Sequence, residues 1–78
     1  MRYVYILHSM AGDHFYVGLT NDLRARLAQH NRGQVPHTSK HTPWRLKTYI
    51  AFNDDKQAFK FERYLKSPSG RAFSKKRL

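Results

Sequence analysis

The residues of this chain whose types and placement can do chemistry are Arg26, His30 and Glu62, with Tyr5 and Tyr16 as a second group. Glu62 is the only glutamate. Helical wheels at ~100° per residue put it beside Ala58, on the inward stripe of Ala58, Phe61 and Leu65. The same construction puts Arg26 and His30 on the side of Leu23 and Leu27. Each of two helices thus sets a charged group at the margin of its apolar face, and buried charge is costly unless paired or used. Two readings follow. In the structural one, Arg26 and Glu62 form a salt bridge at the core edge, which says nothing further about function. In the functional one, a cleft gathers a carboxylate, a guanidinium and an imidazole. A single carboxylate among basic groups suits one divalent metal at a phosphodiester, where metal and arginine stabilise charge on the phosphoryl oxygens.

Tyr5 and Tyr16 lie in segments that read as strands. Aromatic packing across a hairpin is the ordinary explanation for such a pair. The register decides whether they share a face. Pairing His8 with His14 sets Tyr5 opposite Val17, whereas a one-residue bulge brings the tyrosines together. The five histidines, His8, His14, His30, His37 and His41, show no metal-ligand spacing. His37 and His41 fall between Pro36 and Pro43 in a loop, as groups for the loop or for phosphate contact. No phosphate-binding P-loop, nucleophile elbow or dinucleotide-binding glycine pattern is present.

These residues need elements to hold them. Arg2–His8 alternates, with Tyr3, Tyr5 and Leu7 on one side and Val4 and Ile6 on the other, which predicts a strand. A turn at Ser9–Asp13 and a second strand at His14–Gly18 complete a hairpin. Thr20 or Asn21 caps a helix with Asp22 in its first turn, and that helix runs to about Asn31, before Gly33. Arg32–Pro43 reads as a polar loop and Trp44–Phe52 as a third strand. Asp54 with Gln57 resembles a capping box at the start of a helix ending near Lys66. Pro68 opens a new turn, and Ser69–Leu78 reads as a short basic helix. The expected class is α+β in the order β-β-α-β-α-α, with residues 1–78 as one domain.

Composition narrows the partner. A chain of 78 residues buries about 60–65% of its unfolded surface, enough for one modest core. Hydrophobic residues at 40% and aromatics at 14% argue against disorder. No apolar run approaches the ~18 residues of a membrane span, and no secretory signal pattern is present. The chain has no cysteine, which excludes disulfides and thiolate zinc sites and fits the cytoplasm. Lys and Arg number 15 against 5 acidic residues, a net charge of +10. Such self-repulsion points to a polyanion, and nucleic acid is favoured over a membrane surface.

The motifs Tyr3-Val4-Tyr5 and Tyr16-Val17-Gly18, Arg26 in Asn21-Asp22-Leu23-Arg24-Ala25-Arg26, His30 one turn on, and Glu62 in Phe59-Lys60-Phe61-Glu62-Arg63-Tyr64-Leu65 come in a specific order. That ordered set resembles the GIY-YIG nuclease superfamily in its short stand-alone bacterial form. The resemblance covers essentially the whole chain. It implies a small three-stranded antiparallel sheet flanked by helices, and hydrolysis of a nucleic-acid phosphodiester, expected to be DNA, with Mg²⁺ or Mn²⁺. Carried over, Glu62 ligates the metal and Arg26 stabilises charge on the scissile phosphate. Tyr5 activates or positions the attacking water, Tyr16 hydrogen-bonds within the site, and His30 serves as base or proton relay. Gly18 permits close approach. A free tyrosine has a pKa of ~10, so a base role for Tyr5 requires one lowered near metal and Arg26.

Three features depart from the family pattern. Tyr3 replaces the opening glycine of the first motif. For the polar residue that braces the site late in the chain, Ser69 and Ser74 are the candidates. There is no added DNA-binding domain, so affinity falls to Arg32, His37, Lys40, Arg45, Lys47, Lys66, Arg71, Lys75, Lys76 and Arg77. Low sequence specificity and strong salt dependence follow. The alternative is a basic nucleic-acid-binding module with weak or no cleavage. Against it, a carboxylate facing phosphate repels the ligand unless a cation intervenes.

Overall fold

The computed structural model describes all 78 residues, Met1–Leu78. The elements are β1 (Arg2–Ser9), β2 (Phe15–Thr20), α1 (Leu23–Asn31), β3 (Trp44–Phe52), α2 (Asp55–Leu65) and α3 (Pro68–Arg77), with a 3-10 turn at Ser39–His41. The class is α+β and the order β-β-α-β-α-α, as the sequence predicts. The strands form one antiparallel sheet in the order β2-β1-β3. No helix is long and apolar enough to cross a membrane.

The central strand explains the architecture. β1 is flanked on both sides, and its alternation buries side chains on both faces. Val4 and Ile6 pack with Ala58 and Leu65 of α2, ringed by Val17, Leu19, Phe52, Phe61 and Leu78. Tyr5 and Leu7 pack on the opposite face with Trp44, ringed by Tyr16, Leu23, Leu27 and Leu46. Fully burying each large apolar side chain contributes about 1.5–3 kcal/mol. The sheet is therefore covered by α1 on one face and by α2 on the other.

One irregularity keeps this pattern. Ile6 pairs with Thr48, but Leu7 pairs with Leu46, so Lys47 is an extra residue in β3. Without that bulge Lys47 would stand opposite Leu7 on its buried face. With it, Leu46 joins the core and the Lys47 ammonium lies 5.0 Å from the Phe15 ring centroid.

The helix ends follow local chemistry with small shifts from expectation. Asp22, expected in the first turn of α1, is itself the cap and accepts from the Ala25 N–H at 3.0 Å. Thr20 supports it, its hydroxyl accepting the Asp22 N–H at 3.1 Å. Gly33 ends the following turn at φ +73°, where a side chain is disfavoured. Asp54 caps α2 through the Lys56 N–H at 2.8 Å, and the Gln57 half of the expected capping box is not made. Ser67 caps α3, accepting from the Gly70 N–H at 3.1 Å, with Pro68 in the first turn. A Cβ added at Gly70 would lie 1.7 Å from the Tyr64 carbonyl oxygen, so α3 meets the end of α2 backbone to backbone.

Candidate active site

Register brings the tyrosines together. β2 runs Phe15–Thr20 rather than His14–Gly18, and His8 pairs with Phe15 rather than His14. Tyr5 is consequently opposite Gly18 and Leu7 opposite Tyr16. Neither register considered from the sequence is adopted, and this strand pair has no bulge. The cause is a longer turn. It is closed by the Ser9 N–H donating to the His14 carbonyl at 2.9 Å and braced by the Ser9 hydroxyl on the His41 carbonyl. Tyr5 and Tyr16 end up diagonal on one face, ring centroids 6.3 Å apart.

Gly18 makes room for Tyr5. A Cβ there would lie 2.3 Å from both the Tyr5 hydroxyl oxygen and its ring carbon Cζ. The phenol crosses the strand where any other residue would stand. Its hydroxyl reaches His30 Nε2 at 2.9 Å. The face that Leu23 and Leu27 turn inward carries His30 with it, and His30 has no exposed surface. The rings of Tyr5 and Tyr16 lie 5.9 Å and 5.0 Å from the imidazole. On its other side, His30 Nδ1 is 2.7 Å from Thr38 Oγ1.

Arg26 lies one turn before His30, and its Nη1 donates to Gln29 Oε1 at 3.0 Å. Burial lowers the His30 pKa from 6.5 to about 4, and the Arg26 charge adds to that fall. His30 is therefore neutral at pH 7. Burial raises the Tyr5 pKa above 10. The Arg26 guanidinium pulls it down, while Tyr16 and the Glu62 charge add to the rise. Desolvation outweighs the arginine, and the phenol is protonated at neutral pH.

Glu62 joins the group from α2. Its side chain is only 12% exposed, and Oε2 lies 2.6 Å from Lys66 Nζ. Lys66 in turn stands 5.9 Å from the Tyr16 ring centroid. The Arg26–Glu62 salt bridge of the structural reading is not formed, because Lys66 four residues on takes the carboxylate. No group of three or more His, Cys, Asp or Glu side chains converges to hold a metal. Glu62 does fit the chemistry of a hard cation: a nearly buried carboxylate whose partner is one flexible ammonium. Mg²⁺ is commonly held by one or two carboxylates together with water and substrate phosphate.

All ten basic residues expected to contact nucleic acid are exposed. Arg32 caps the end of α1, His37 and Lys40 lie in the following loop, Arg45 and Lys47 on β3, and Arg71, Lys75, Lys76 and Arg77 on α3. Lys66 belongs to the Glu62 cluster itself. Ser69 and Ser74 make no side-chain hydrogen bond. Two residues escape sequence reasoning. Arg2 joins Arg26, Asn21 and Gln29 along an open groove of about 370 Å³. Thr38, in a stretch expected to be a polar loop, is 1% exposed beneath Trp44. A lone threonine among polar residues carries no sequence signal of burial.

The chain thus sets two tyrosines on one face of a small antiparallel sheet, an arginine and a histidine one helical turn apart, and a carboxylate on a second helix. The chain belongs to the GIY-YIG family: the model of the GIY-YIG catalytic domain matches residues 1–77. It is also similar to a UPF0213 protein of Lacticaseibacillus paracasei, 38% identical over 65 residues, which is 82% of this chain and 72% of that protein. No solved structure matches the chain.

Proposed function

We propose that this protein is a divalent-metal-dependent endonuclease that hydrolyses phosphodiester bonds of nucleic acid, DNA in the first instance, with low sequence specificity. The observation that carries the reading is the Tyr5 hydroxyl 2.9 Å from His30 Nε2, with Arg26 and Glu62 both acting on the phenol. Tyr5 is the acceptor for the proton of an attacking water. Being protonated itself, it passes its own proton to His30, which is neutral and has a vacant acceptor. Arg26 stabilises charge on the phosphoryl oxygens. Tyr16 lines the same face, its ring centroid 5.0 Å from that of the imidazole. Glu62 would hold Mg²⁺ or Mn²⁺, which would supply polarisation of the phosphate. A cation held there would compete with Lys66 for the Glu62 carboxylate.

The net charge of +10 supports a polyanionic substrate, and the spread of exposed basic residues supports contacts to backbone phosphates rather than to bases. The test uses supercoiled, single-stranded and branched DNA with Mg²⁺, Mn²⁺ or chelator, beside Glu62→Gln and Arg26→Ala prepared identically. Metal-dependent cutting that falls at least ~100-fold in both variants is expected. Cutting that persists in both removes the site. Salt-sensitive binding without cutting by any sample moves the assignment to a binding module.

A further inference from the structure

The contact between Tyr5 and His30 has a direction, and the donor and acceptor inventory fixes it. The Tyr5 hydroxyl is buried and carries one proton. Arg26 offers only donors. The hydrogen-bond partner of the hydroxyl is His30 Nε2. A buried hydroxyl proton without an acceptor is costly, so Nε2 accepts. The neutral ring then carries its proton on Nδ1, which faces Thr38 Oγ1 at 2.7 Å. The Thr38 proton goes on to the Val35 carbonyl at 3.3 Å. Every donor in the series Tyr5, His30, Thr38 meets an acceptor. In the reverse direction Thr38 donates to Nδ1, Nε2 donates to Tyr5, and no protein group accepts the Tyr5 proton.

Thr38 is itself held. Its carbonyl accepts the Trp44 indole N–H at 2.9 Å, and its own N–H donates to the Val35 carbonyl at 3.1 Å. The backbone of Trp44 is clamped by Asn31, whose Oδ1 accepts at 2.6 Å and whose Nδ2 donates at 2.9 Å. The groups facing His30 are Tyr5 from β1, Tyr16 from β2, Arg26 on its own helix and Thr38 from the loop. Glu62 from α2 acts on Tyr5. Of these, Thr38 alone accepts from Nδ1.

We infer that Thr38 is a positioning residue that holds His30 as the Nδ1-protonated tautomer, leaving Nε2 as the acceptor for the Tyr5 proton. The inference deepens the proposed function and rests on it. As the water oxygen bonds to phosphorus, one water proton moves to the phenol oxygen and the phenol's original proton moves to Nε2. The leaving oxygen departs with the electron pair of its broken bond to phosphorus. Nδ1 keeps its proton throughout. The other tautomer points an N–H at Tyr5 and blocks the transfer.

The test is ¹⁵N NMR of the His30 ring at neutral pH in the full chain, alongside single-turnover cleavage of DNA, for wild type, Thr38→Val and Thr38→Ser. The expected wild-type spectrum has a pyrrole-type Nδ1 and a pyridine-type Nε2. Thr38→Val is expected to lose that preference and to cut roughly 10- to 100-fold more slowly, as for other residues that orient a histidine from behind. Thr38→Ser is expected to restore both. A wild-type ring protonated on Nε2 overturns the inference whether or not Thr38→Val folds. An unchanged tautomer or unchanged rate in folded Thr38→Val overturns it as well. A wild type that cuts no DNA overturns the proposed function, and with it the role of Thr38 in the reaction, while the spectrum still decides the tautomer.

Discussion

His30 is buried with a hydroxyl on each side of its ring, and its titration ties the site to the stability of the fold. Its pKa is 6.5 when free and about 4 when folded. Between those values the unfolded chain binds a proton that the folded chain excludes. Stability therefore falls as pH drops from about 6.5 to 4 and levels off below that range, with a total of about 3 kcal/mol from this group. Urea unfolding at pH 7, 5 and 4 is expected to show that fall, and His30→Gln is expected to flatten the slope between the first two. Tyr5 runs the other way, since burial keeps its phenol protonated. The two shifts together give a protonated donor facing a neutral acceptor at pH 7. That pairing depends on desolvation, which spacing along the chain does not reveal. Which residues Tyr5 faces was left open by the sequence, and the sign of its pKa shift was not legible.

Strands and helices were legible because β1 alternates with a period of two, α2 carries a clear apolar stripe, and α1 begins at a capping aspartate and turns Leu23 and Leu27 inward. The register of the hairpin was not, because the turn is set by Ser9 bonding to the carbonyl of His41, which is distant in sequence. The bulge at Lys47 escaped for a related reason: it resolves a conflict with Leu7 on the neighbouring strand. The consequence of register is sharpest at Gly18, where the space beside β2 is filled by the Tyr5 phenol. Gly18→Ala is expected to push that ring off His30. The overpacking costs about 1–3 kcal/mol of stability. The misplacement lowers cleavage by about 100-fold, with the protein still folded by circular dichroism. An active Gly18→Ala enzyme would separate catalysis from the Tyr5–His30 bond. Glu62 illustrates a different limit. The wheel placed it correctly beside Ala58, but its partner is Lys66 on its own helix rather than Arg26 across the cleft.

Over the whole molecule, charge is the dominant feature. The surplus of +10 is carried by exposed side chains on several elements, and the end of α3 alone contributes Lys75, Lys76 and Arg77. If all three contact phosphates, replacing them with alanine lowers the slope of log K against log salt by about 2–3. Fluorescence anisotropy of labelled DNA across a salt series reads this directly. An unchanged slope would move the phosphate contacts to Arg32, Lys40 or β3. The basic end of α3 is also not a free tail. At Gly70 its backbone presses against the Tyr64 carbonyl, leaving no space for even a methyl group. Tyr64 lies two residues beyond Glu62 on the same helix. A pull on the last turn of α3 is thus transmitted through a stiff elbow to the helix that bears the carboxylate. Under the proposed function, gripping the strand and aiming Glu62 become one mechanical act.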